Sequence, residues 1–70
     1  MAGEYQLTIN GEQHLFAAQP TLREVLRQLN LEPDKVAIEL NRAIVKKEFW
    51  DSTTVAPGSE LEIVQFVGGG

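Results

Sequence analysis

The sequence predicts an α+β fold in which a mixed sheet of four to five strands carries one helix on one face. Three observations predict it. Apolar residues recur at helical spacing in one segment, from Leu22 to Leu29. Short segments with the two-residue period of strands flank that segment on both sides. Two pairs of these segments are joined by two-residue turns of the hairpin type.

Tyr5-Gln6-Leu7-Thr8-Ile9 alternates apolar and polar residues, which puts Leu7 and Ile9 inward. Asn10-Gly11 supplies the two positive-φ positions of a type I′ turn, and Gln13-His14-Leu15-Phe16 is the return strand. After the break at Gln19-Pro20, Thr21-Leu22-Arg23-Glu24 reads as a capping box, Thr21 accepting from the Glu24 amide while Glu24 reaches back. Leu22, Val25, Leu26 and Leu29 then form one stripe, with Arg23, Glu24, Arg27 and Gln28 expected to face water. Asn30 and Pro33 end the helix. Val36-Ala37-Ile38-Glu39-Leu40 is the next strand, and Asn41-Arg42 turns it into Ala43-Ile44-Val45. Lys46, Lys47 and Glu48 are expected to be exposed, and Phe49 and Trp50 to close the open end of the core. Pro57-Gly58 leads to a last strand with Leu61 and Ile63 toward the helix and Glu62, Val64 and Phe66 on the opposite face.

A single helix covers one face of one sheet. The first and last strands can lie side by side in parallel only through a long crossover that contains the helix, and this is the β-grasp arrangement. A split ferredoxin-like sheet would need a second amphipathic helix, for which residues 46–59 are too polar and too rich in turns.

Seventy residues make one small domain. A chain of this size buries only about 60–65% of its unfolded surface, which leaves no room for a deep catalytic cleft. The formal net charge of −4 argues against nucleic acid or an anionic membrane as partner and for a protein with a basic docking face. No apolar run approaches the ~20 residues that span a bilayer. Met1-Ala2-Gly3-Glu4 does not read as a secretory start and there is no cysteine, so a cytoplasmic location is the default expectation. With no cysteine thiol, any sulfur-transfer chemistry must then use a sulfur atom brought from outside the chain.

The last strand runs without a turn into Gly68-Gly69-Gly70, which divides the chain into a domain, residues 1–67, and a flexible glycine tail, residues 68–70. Glycine has no Cβ, so such an end can lie extended in a channel too narrow for other residues. Stretched out, Val67 to Gly70 reaches about 13 Å at ~3.3 Å per residue, enough to enter another protein's active site. A glycine end alone is also what a disordered terminus or an appended remnant shows. The rest of the chain decides between them.

Ile9-Asn10-Gly11, Thr21-Leu22, Ala37-Ile38-Glu39-Leu40-Asn41 followed by Ile44-Val45, the Trp50 region, Pro57-Gly58, and Glu62-Ile63-Val64 leading to Val67-Gly68-Gly69-Gly70 occur in one order and spacing. In these residues nearly the whole chain resembles the ubiquitin-like sulfur carriers of the ThiS/MoaD type, in particular their thiamine-biosynthesis branch. Lys46-Lys47 and Ser59 depart from the usual Pro-Arg and Asp of that family, in loops.

The resemblance implies a carrier rather than an enzyme, with no bound cofactor and no metal. A carboxylate is a poor electrophile, and in this family an ATP-dependent, ThiF-like adenylyltransferase activates the terminal glycine, here Gly70. A sulfur donor such as a cysteine desulfurase then yields a thiocarboxylate at Gly70. Gly68 and Gly69 would let the tail thread the partners' sites, and a ThiG-like thiazole synthase would accept the sulfur. Two alternatives share the activation chemistry: the small subunit of molybdopterin synthase, and a ubiquitin-like modifier joined to lysines of other proteins. A plain interaction domain with incidental glycines is a third.

Val64, Phe66 and Val67, beside the tail, are candidate docking residues. The competing expectation is that Val64 and Phe66 pack against Phe49, Trp50 or the first strand. His14 is the sole histidine and has no ligand cluster around it, so it is read as structural. The pairs Glu60/Glu62 and Glu32/Asp34 are read as solvated charges, and Lys46-Lys47 is too short for a nucleic-acid patch.

Overall fold

A computed structural model of the chain describes residues 5–66. In chain order these form β1 (Tyr5–Ile9), β2 (Glu12–Phe16), helix α1 (Leu22–Gln28), β3 (Val36–Leu40), β4 (Ala43–Val45) and β5 (Glu60–Gln65), with 3₁₀ turns at Pro33–Lys35 and Lys47–Phe49. The strands make one five-stranded sheet in the order β2-β1-β5-β3-β4. β1 and β5 are parallel neighbours, and the other pairs are antiparallel. This is the expected β-grasp topology. Among the described residues, 46–59 contain no second α-helix, which excludes the ferredoxin-like alternative.

Local chemistry sets the elements. Asn10 and Gly11 adopt φ of 52° and 83°, and Asn41 and Arg42 adopt 49° and 73°, so both hairpins close through paired left-handed residues. The Thr21 hydroxyl accepts from the Glu24 amide at 3.1 Å and the Glu24 carboxylate accepts from the Thr21 amide at 2.9 Å, the predicted capping box. Asn30, at φ 59°, turns the chain out of the helix. At seven residues α1 is too short to persist in water by propensity. Packing of its buried residues Leu22, Val25 and Leu26 against the sheet holds it.

The sheet's inward face carries Leu7, Ile9, Phe16, Val36, Ile38, Leu61 and Ile63, and the β4–β5 connection adds Trp50 and Val55. Register explains the sorting: Ile38 lies opposite Ile63 and Leu40 opposite Leu61, so both pairs point to the helix side. Two expectations need correction here. Trp50 closes the core, its indole Nε1 donating to the Val45 carbonyl at 2.9 Å, but Phe49 stays half exposed, because successive residues of a tight turn point in different directions. Arg23 does not simply face water: its guanidinium lies 5.9 Å above the Trp50 ring and its Nε donates to Asp51 at 2.7 Å. No helix among the described residues is long and apolar enough to cross a membrane.

Candidate functional site

β5 leads toward the glycine end and is gripped from both sides. On one side β3 pairs with it from Leu40↔Leu61 to Val36↔Gln65. The Phe66 amide extends that ladder by donating to the Lys35 carbonyl at 2.7 Å. On the other side β1 pairs with it only at Thr8↔Glu60 and Ile9↔Leu61. Past Ile9 the grip passes to Asn10, whose backbone amide donates to the Leu61 carbonyl at 2.9 Å. The Asn10 carboxamide then takes both backbone groups of Ile63, Nδ2 donating to its carbonyl at 3.1 Å and Oδ1 accepting from its amide at 2.8 Å. Asn41 does the equivalent at the start of β5, its amide donating to the Glu60 carbonyl at 2.8 Å and its Oδ1 accepting from the Glu60 amide at 3.0 Å. The sequence marks both asparagines as turn residues. Their second role, bonding to a strand far along the chain, leaves no local signal.

The outward face of the sheet around β5 is apolar with an acidic border. Val64 is 58% and Phe66 55% exposed, and both stand outside the core cluster, so the alternative in which they are buried does not form. Ala37 lies opposite Val64, and Glu39 lies opposite both Glu62 on β5 and Ile44 on β4, which places all of them on this face. Ile44, 74% exposed, joins the candidates, a residue missing from the set that the sequence suggests. The signal was present: the two-residue turn at Asn41-Arg42 fixes the register, and Ile44 then falls opposite Glu39 rather than on the core side with Val45. Val67, Gly68, Gly69 and Gly70 lie outside the described residues.

His14 Nε2 lies 3.9 Å from the Glu12 carboxylate. The described residues hold no group of three or more His, Cys, Asp or Glu side chains that could bind a metal.

Sheet order, single helix and a central strand directed to a triple-glycine end define a ubiquitin-like β-grasp domain. The profile of the ThiS family matches residues 3–70. The sulfur carrier protein ThiS of Escherichia coli K12 is 31% identical over 65 residues, which cover 93% of this chain and 98% of that protein. The crystal structure of the thiamine biosynthesis protein ThiS from Geobacter metallireducens superposes with a TM-score of 0.79 at 34% identity, covering 93% of this chain and 99% of that one. A thiazole synthase of Paramagnetospirillum magneticum is 43% identical over 65 residues, which are 93% of this chain but 20% of that protein. The chain thus spans about a fifth of the length of the thiazole synthases it matches. It belongs to the ThiS family.

Proposed function

We propose that the chain is a sulfur carrier of thiamine thiazole formation and that Gly70 is its sulfur-bearing residue. The observation that carries the reading is the family match, which runs to residue 70 and so includes the glycine end. In the proposed cycle a Gly70 carboxylate oxygen attacks the α-phosphorus of ATP on a ThiF-like adenylyltransferase and displaces pyrophosphate. A persulfide, formed with a donor such as a cysteine desulfurase, then displaces AMP to give an acyl disulfide, and a thiol of the partner enzyme or of a reductant cleaves its S–S bond, leaving one sulfur in place of one oxygen and a disulfide as the oxidised product. Gly68 and Gly69 let the end thread narrow partner sites. The chain is carrier and substrate, and its partners supply the catalytic groups.

Thiazole synthase is the proposed sulfur acceptor. Support comes from the polypeptides named thiazole synthase that contain a segment like this chain over a fifth of their length. Covalent linkage of that kind raises the effective concentration of two modules that act on each other. Val64, Phe66 and Val67, with Ile44, form the proposed docking surface, and the cytoplasm is the proposed setting.

Intact mass spectrometry tests the reading. Incubation with ATP, the ThiF-like enzyme of the same organism and a sulfur source should exchange one oxygen for one sulfur, and adding thiazole synthase with its substrates should reverse the gain. An unchanged mass, or adducts on lysines of other proteins without a thiocarboxylate, overturns it.

A further inference from the structure

We propose that Asn10 is a positioning residue for the sulfur-bearing end: its carboxamide stands in for the strand backbone that β1 lacks beyond Ile9, and so sets the line along which β5 delivers the tail. The proposal rests on Gly70 being the loaded residue. β1 and β5 pair only as far as Ile9↔Leu61, yet β5 continues to Gln65. Along that continuation the Phe66 amide turns toward β3, where it meets the Lys35 carbonyl, whereas both backbone groups of Ile63 turn toward the β1 side. No residue of β1 reaches them. A carboxamide carries the donor and the acceptor of a peptide group in one plane, so Asn10 offers Ile63 what the next residue of a longer strand would have offered. With both bonds made, β5 is held on two sides to within three residues of Phe66, the last described residue before the tail. Without them its final residues hang from β3 alone and sample more directions. A partner must then order them on binding, which weakens association and leaves the chemistry of the bound end unaltered.

The fold contains its own control. Asn41 sits at the same position of the other hairpin, with φ 49° against 52° for Asn10, and it too bonds to β5, but at Glu60, the end remote from the tail. Glycine satisfies the positive φ at either position, so Asn10→Gly and Asn41→Gly each remove a side chain while keeping the turn.

The test is steady-state pyrophosphate release by the ThiF-like enzyme of the same organism as a function of carrier concentration, with amide exchange measured on the free variants. Asn10→Gly should raise the half-saturating concentration about tenfold with the maximal rate within about twofold of the parent, the split expected when binding order alone is lost. Asn41→Gly should leave both parameters within about twofold of the parent. Exchange at Ile63 should speed up in Asn10→Gly and not in Asn41→Gly. Equal effects of the two glycine variants, or an unchanged half-saturating concentration for Asn10→Gly, would show that Asn10 serves general stability and overturn the proposal. If the unaltered protein releases no pyrophosphate, the reading of Gly70 fails first and the proposal falls with it.

Discussion

Glu39 and Glu62 are directly opposed across β3 and β5 on the outward face of the sheet. Like charges in that register repel. Neither residue takes part in an ion pair among the described residues. The border of the apolar surface around Val64 and Phe66 therefore holds a repulsion that a partner bearing lysine or arginine relieves on docking.

Glu62→Gln should stabilise the free domain by about 0.2–1 kcal/mol, as expected for removing one member of an opposed like-charge pair. In a domain of this size that is a rise in Tm of a few degrees, readable by thermal melting followed by circular dichroism. The same variant should associate more slowly with the proposed activating enzyme and show a weaker dependence on salt. A lower Tm would contradict the repulsion.

Phe66→Asp should fold like the parent, because the side chain is more than half exposed and outside the core. It should lose at least about tenfold in loading efficiency, the size expected when a central apolar anchor of an interface is replaced by a charge. Circular dichroism and pyrophosphate release measured on one preparation check both halves. Collapse of the fold would return Phe66 to the core and remove it from the docking surface.

Trp50→Ala should be the most damaging single truncation. The side chain is 2% exposed, and its loss costs on the order of 3–5 kcal/mol, a large share of the stability of a small domain. Trp50→Phe refills much of the space but leaves the Val45 carbonyl without its indole donor, for a cost nearer 1–3 kcal/mol. Urea titration distinguishes the two through their midpoints.

Thr21→Ala removes the hydroxyl that caps α1 and should cost about 1 kcal/mol. Loading at a temperature well below the melt should be unchanged, since the cap lies on the helix side of the sheet and not on the face that carries Val64 and Phe66.

Removal of Gly69 and Gly70 should leave the melting curve of the domain unaltered and abolish sulfur loading altogether. Intact mass spectrometry under the loading conditions reads the second effect. Retention of function by the shortened chain would favour a plain interaction domain.

The parts of the fold legible in the sequence are those decided by neighbours along the chain. Asn10-Gly11 announces a hairpin because only left-handed residues close a two-residue loop with the sheet's own twist, and Thr21 with Glu24 announces a helix start because the two satisfy each other's orphan amides. Alternation correctly turned Leu61 and Ile63 inward and Val64 and Phe66 outward. Phe49 and Trp50 could not be told apart, since no period runs through their turn and the indole N–H that lets Trp50 be buried finds its acceptor, the Val45 carbonyl, only in the folded chain. The surroundings of Arg23 are hidden for a related reason: the helical wheel puts it on the solvent side, but the Trp50 ring and Asp51 come from a distant loop. The grip of Asn10 on Ile63 spans 53 residues of sequence and is invisible before the chain is folded. Of the site itself, Val64 and Phe66 were placed by alternation, and Ile44 needed only the register of its turn to be followed through.

The central place of β5 also decides how the domain bears tension. A partner that draws the glycine end into its own cavity pulls along the strand axis, while the bonds to β1 and β3 run across it. The load is then shared by the whole ladder in shear instead of peeling it open one rung at a time, so the end can be stretched taut without unravelling the globule behind it.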